Sequence, residues 1–188
     1  MTAPRPTAPR IEPLTELTGD AEELQGTLIT TADGVPINIF ATLAKHPKMA
    51  KRFNLFGGFL LNKGLVPARE REIVILRVGW NARSVYEFGQ HTVIGRNCGL
   101  TDAEIKALAT DDPSAVAWSA DDRALIDLAD DLCRDDCVSD DTFARIRSRW
   151  SEAETMELIV VAGFYRLVSG FLNSAGVQLD AGVPSWPN

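Results

Sequence analysis

His91 lies in the run RSVYEFGQHTVIG, where Ser84, Glu87 and His91 fall at i, i+3 and i+7. With about 3.6 residues per helical turn these side chains share one face, Glu87 one turn below His91. A histidine beside a carboxylate is a proton-transfer unit: the carboxylate selects the imidazole tautomer and holds its pKa near or above neutrality. Glu72 reaches the same place if its segment packs as an antiparallel hairpin across Asn81–Arg83. His91, Glu72 and Glu87 are therefore the candidate catalytic residues, one glutamate orienting the ring and the other meeting substrate or an activated water. The same spacing also describes a plain surface Glu–His pair, worth only about 0.2–0.5 kcal/mol.

Two other chemistries fit less well. A Ser84 nucleophile with His91 as base fails on reach, because two turns of one helix separate them by about 10 Å. Glu72, Glu87 and His91 offer three N/O donors, as a catalytic zinc or iron site needs, but no second histidine joins them and no metal is expected. The other histidine, His46, precedes Pro47 in a turn with basic neighbours and reads as structural.

The elements that must position these residues are helices. Thr101-Asp-Ala-Glu104 and Ser151-Glu-Ala-Glu154 are capping boxes, and Ser119 and Ser139 are further N-cap candidates. Pro67 suits a first helical position, and Gly99 suits a left-handed stop. Ala124, Leu125, Leu128 and Leu132 recur as one buried stripe. Together these signals predict helices over 37–45, 47–62, 67–81, 84–98, 102–109, 120–134, 140–149 and 152–175. Only Thr27–Thr31 reads as β-like, too isolated to found a sheet, so the fold class is all-α, a bundle of about eight helices. Pro67-Ala-Arg-Glu-Arg-Glu-Ile-Val weakly echoes Glu152-Ala-Glu-Thr-Met-Glu-Leu-Ile, setting Glu72 opposite Glu157 as in a duplicated helical hairpin. In the last helix Gly163, Gly170 and Ser174, with Gly176 beyond, permit close helix approach, within one subunit or between two.

Composition bounds the rest. The 188 residues carry 26 acidic and 19 basic side chains, a net charge of −7, and 45% hydrophobic residues. That is one domain with a normal core, and the acidic balance argues against nucleic acid as a partner. The basic cluster Lys45, Lys48, Lys51, Arg52 reads as a solvated helix face. Cys98, Cys133 and Cys137 are an odd number in a chain too long to need disulfide staples, which points to a reducing, cytoplasmic setting. MTAPRPTAPR has no apolar core and reads as no secretory signal. Phe53–Leu61 and Leu158–Tyr165 fall short of the roughly 20 apolar residues of a membrane span. Prolines make 1–25 an extended arm, 26–180 the helical domain and 181–188 a tail, with Trp186 a surface anchor, onto a neighbouring subunit for instance.

The segment Val66–Ile105, VPAREREIVILRVGW…SVYEFGQHTVIGRNCGLTDAEI, resembles the carboxymuconolactone decarboxylase family, in the superfamily of alkylhydroperoxidase D. WSADDRALIDLADDLCRDDCVSDDTF and LNSAGVQLD resemble its longer members, so the likeness spans about 35–180. It implies an all-helical fold and a homo-oligomer (trimer, hexamer or dimer). The peroxidase branch carries Glu, eleven residues, Cys, two residues, Cys, three residues, His; here those positions read Glu72, Ser84, Glu87, His91. Both redox cysteines are missing, and the disulfide cycle of that branch has no thiols to run on. Cys98, at a helix end, and Cys133 and Cys137, among aspartates, are expected to have raised pKa values and to be poor replacements. The decarboxylase branch instead resembles this chain in having a glutamate four residues before the histidine. That likeness makes His91 the proton donor or acceptor in a cofactor-free enzyme acting on a small organic acid or lactone. An anionic substrate entering a −7 protein needs local cations, so Arg77, Arg83 and Arg96 are substrate-binding candidates, with Ser84 and Tyr86. The alternatives are an alkylhydroperoxidase-type antioxidant activity and a non-catalytic helical assembly module.

Overall fold

The computed structural model describes residues 4–31 and 33–187, so the first three residues of the expected arm and the last residue of the tail lie outside the described residues. The described residues form eight α-helices: α1 Asn38–Leu43, α2 Pro47–Asn62, α3 Ala68–Asn81, α4 Val85–Asn97, α5 Asp102–Leu108, α6 Ala120–Asp135, α7 Asp140–Arg149 and α8 Glu152–Ala175. Among them there is no strand, and Thr27–Thr31 contributes only an isolated antiparallel bridge, Thr30 to Pro36.

The helix starts follow their local chemistry. The Thr101 and Ser151 hydroxyls accept from the Glu104 and Glu154 amides, and both glutamates bond back to the capping residue. Ser119 and Ser139 accept from Asp122 N and Thr142 N. Pro67 is one position outside the expected place: its ψ of 148° is extended, and α3 begins at Ala68.

At the centre stands α3, with Ile73, Val74, Ile75, Leu76 and Val78 all fully buried. It packs against α4, α6 and α8. A helix buried on every side from Arg71 to Gly79, with three charged residues among the apolar ones, needs such a sheath of neighbours. The 24-residue α8 is long and apolar enough to cross a membrane by length and composition, a helix that the shorter apolar stretches did not suggest. In the fold it packs on α3, α4 and α6 as a bundle helix. Its outer face is bare: Met156, Val160 and Leu167 are exposed, and nothing lies within 4 Å of where a Cβ on Gly163 or Gly170 would be. Those two small residues therefore serve no packing within the subunit.

The segment expected as an extended arm is only partly so. Gly19–Leu24 forms a 3-10 helix that buries Ala21 and Leu24, because two apolar residues three apart meet the bundle when the chain coils. The arm is also docked: Arg10 N and Ile11 N donate to Ala175 O, and Leu14 N to Ala41 O. Trp186 packs on its own chain, 5.3 Å from Trp80 and 5.1 Å from Phe88 between ring centroids.

Candidate active site

α3 and α4 form the antiparallel hairpin on which Glu72 and His91 meet. Arg83 takes a left-handed conformation (φ 52°), and Ser84 N bonds back to Gly79 O at 2.9 Å, so the chain reverses within a few residues. At the other end of α4, a Cβ on Gly95 would sit 3.1 Å from Leu100 and 3.3 Å from Leu76. A glycine there lets the helices approach closely, beside Glu72.

Four charged groups then follow in series. Arg71 Nη2 lies 3.2 Å from Glu72 Oε1, Glu72 Oε2 lies 2.6 Å from His91 Nδ1, and His91 Nε2 lies 3.1 Å from Glu87 Oε1. All four residues are buried, Glu72 completely. Burial is the largest influence on His91 and disfavours its charge, but Glu72 and Glu87 together outweigh it and raise its pKa to about 10. The ring is thus an imidazolium at neutral pH, and the series carries two positive and two negative charges. Both ring nitrogens face carboxylates, which leaves neither lone pair to a metal, and no group of three or more candidate ligands among the described residues is placed to hold one.

Beside this series lies a cavity of about 490 Å³, within the usual range for small-molecule sites. Its walls are mainly apolar, from Ile39, Phe40, Phe53, Leu61, Phe164 and Val168. Glu87 and His91 line it, whereas Glu72 stands behind the ring. A larger groove of about 610 Å³ between Gly19–Glu23 and Lys45–Lys48 is bordered by exposed, solvated charges. It offers no buried group whose protonation the protein controls, so the smaller cavity is the better candidate.

The structure brings His91, Glu72 and Glu87 together, and Tyr86 to the same cavity, where its hydroxyl donates to Asp180 Oδ2 at 2.5 Å. Burial first and the Asp180 carboxylate second push that phenol far up. Ser84 is not in the cavity wall: it is the fully buried N-cap residue of α4, its hydroxyl unpartnered among the described residues. The three arginines do not reach the cavity either, because each has a nearer carboxylate. Arg77 is buried against Asp130 (2.5 and 3.0 Å) and the Thr110 carbonyl. Arg83 pairs with Asp111 at 3.1 Å and stacks over Trp80, and Arg96 pairs with Asp102 at 2.7 Å.

Two site residues escaped the sequence reading. Arg71 was visible beside Glu72 but unremarked. Tyr165 of α8 stands edge-on to His91, 4.9 Å between centroids, and had no local signal at all. Burial first, then Glu87 and Glu72, hold its phenol well above its ordinary pKa, so it stays protonated. The cysteines are free, and none lines the cavity. Cys98 and Cys133 are pushed up mainly by burial rather than by helix-end or aspartate charge, with Glu72 the second influence on Cys98.

Comparison with known proteins agrees with this architecture. Residues 47–130 match the carboxymuconolactone decarboxylase family. No curated protein matches the chain. A peroxidase-related protein from Silicibacter sp. TM1040 superposes with TM-score 0.77 at 15% identity, over 95% of this chain and 96% of that one. An alkylhydroperoxidase AhpD core protein from Ralstonia eutropha JMP134 gives 0.74 at 20% identity, over 93% and 95%. The debrominase Bmp8 with 2,3,4-tribromopyrrole gives 0.73 at 15%, over 93% and 94%. At such identities the likeness shows the fold alone. Residues 47–130, from the start of α2 into α6, thus resemble the carboxymuconolactone decarboxylase family, and the described residues share the all-helical fold of the alkylhydroperoxidase D-like structures.

Proposed function

We propose that the chain is a cofactor-free proton-transfer enzyme of the carboxymuconolactone decarboxylase type, acting on a small organic acid or lactone. The observation that carries this reading is the buried Glu72–His91–Glu87 series ending at an apolar cavity. Glu72 fixes the ring through Nδ1 and keeps it charged, and the Nε2 proton can pass to Glu87 across 3.1 Å. Glu87, in the cavity wall, is the group that meets substrate.

In a decarboxylation the C–C bond electrons enter a conjugated carbonyl of the substrate as CO2 leaves. The resulting dienolate then takes the proton that His91 has passed to Glu87, and His91 recovers one from solvent to close the cycle. In an isomerisation Glu87 removes a proton from one carbon and returns it to another. Removal of charge from bulk water strengthens each of these interactions.

A thiol peroxidase is disfavoured by Ser84 and Glu87 standing at the cysteine positions and by the absence of any cysteine from the cavity wall. A purely structural assembly module would have no use for a chamber beside a charged dyad.

The test is incubation of wild type, His91→Ala and Glu72→Gln with carboxylated lactones, 3-oxo acids and organic hydroperoxides, following CO2 and product mass. Wild type should turn over an acid or lactone, and both variants should lose at least 100-fold, the usual scale of general acid–base catalysis. Full activity in either variant rejects the site. Peroxide consumption that vanishes when all three cysteines become serine rejects the chemistry.

A further inference from the structure

The charges around the cavity are all committed. Among the described residues no lysine or arginine lines it, and its charged lining groups, Glu87 and His91, form an ion pair with each other. An entering carboxylate would have to compete with Glu87 for the imidazolium inside an apolar chamber, with no third charge to compensate. Desolvation and like-charge repulsion both oppose that.

The uncharged polar groups are mostly committed as well. Asn54 and Asn62 spend their amide nitrogens on the Thr27 and Gly58 carbonyls, and Gln90 spends its own on Asp180 and Tyr86. Tyr86 donates to Asp180. Tyr165 differs: the residue is 4% exposed, it lines the cavity, and its hydroxyl makes no hydrogen bond among the described residues. A hydroxyl on a cavity wall with no protein acceptor is free to donate to a ligand.

We infer that the cavity takes an uncharged, largely apolar compound whose carbonyl oxygen accepts a hydrogen bond from Tyr165. This deepens the proposed function and rests on its choice of cavity. It narrows the substrate from acid or lactone to a neutral carbonyl compound, and the chemistry from decarboxylation to a proton shift, because loss of CO2 needs a carboxylate that this cavity would exclude. Tyr165 would polarise the carbonyl while Glu87 handles the proton, so the tyrosine is a substrate-binding residue supplied by a helix other than the catalytic hairpin.

A matched pair separates the two charge types: γ-phenyl-γ-butyrolactone and its ring-opened carboxylate, 4-hydroxy-4-phenylbutanoate. Equilibrium dialysis at pH 7, with each compound quantified as itself by mass, reads binding apart from turnover. Wild type should bind the lactone at least tenfold more tightly than the carboxylate. Tyr165→Phe, with an unchanged unfolding midpoint, should weaken the lactone roughly 3- to 10-fold, the effect of one neutral hydrogen bond. Asn62→Lys, which adds a cation to the wall, should shift preference toward the carboxylate. Equal or tighter carboxylate binding by wild type, binding of neither compound, or no effect of Tyr165→Phe on the lactone overturns the inference. Tight lactone binding without turnover of any compound in the wider panel would overturn the proton-transfer reading and leave this one standing.

Discussion

Glu72 and Glu157 occupy matching places in the weak internal echo, and both are buried acids near the start of a long helix. Their partners divide them. Glu157 Oε2 and Oε1 accept the Leu65 and Val66 amides at 2.8 and 3.0 Å, stitching α8 to the turn that leads into α3. Glu72 bonds no backbone amide; it lies between Arg71 and His91. Backbone amides cannot release a proton at any ordinary pH, so Glu157 is a fixed clasp. An imidazolium can, so Glu72 holds a charge that rising pH removes. Burial of a carboxylate is thus not the mark of a site; a titratable partner beside a cavity is.

The largest expected effect comes from breaking the titratable side of this contrast. Glu72→Ala leaves the Arg71 and His91 charges buried without their shared acceptor, and should cost about 3–5 kcal/mol in urea unfolding at pH 7. The pH dependence carries the same signature. The His91 pKa is raised from 6.5 to about 10 on folding, so its stabilising contribution is whole below pH 6.5 and is lost as pH rises through about 10. Wild-type stability should fall across that window, and Glu72→Gln should flatten the fall. A slope unchanged in Glu72→Gln would mean that Glu72 does not hold the charge.

The fixed side should break differently. Glu157→Ala strands two amides, at about 1–3 kcal/mol each if they stay dry. It should leave both the His91 titration by NMR and the pH profile of turnover where they are in wild type. A shifted profile would show that the two acids are coupled and undo the contrast.

How much of this could be read from the chain follows the range of each interaction. The helices were legible because their caps are local: Thr101 needs only Glu104, and Ser151 only Glu154. The Glu87–His91 pair was legible for the same reason, one helical turn apart, and Glu72 because a short reversal at Arg83 permits only one kind of packing. Arg77 was misread as a substrate contact because its acceptors, Asp130 and the Thr110 carbonyl, lie on segments that only the folded bundle brings near. Tyr165 was illegible in the same way: in sequence it is one aromatic in an apolar helix, and only the crossing of α8 over α4 makes it a cavity donor. Local spacing identifies which groups meet within a hairpin, and is silent on which distant partner neutralises a charge.

The smallest effect tests how tightly the clasp is fitted. A Cβ on Gly64 would overlap Glu157 Oε1, although the glycine has no left-handed backbone to justify it. Its missing side chain therefore leaves room for the Glu157 carboxylate. Gly64→Ala should push the Glu157 carboxylate off the Leu65 and Val66 amides by about an ångström and lower stability by about 1 kcal/mol. In a Glu157→Ala background the overlap is gone, and the same substitution should be silent or stabilising by about 0.4–1 kcal/mol through the unfolded chain. Urea midpoints of the four proteins decide it: if Gly64→Ala costs as much with Ala at 157 as with Glu, the glycine serves something other than this clasp.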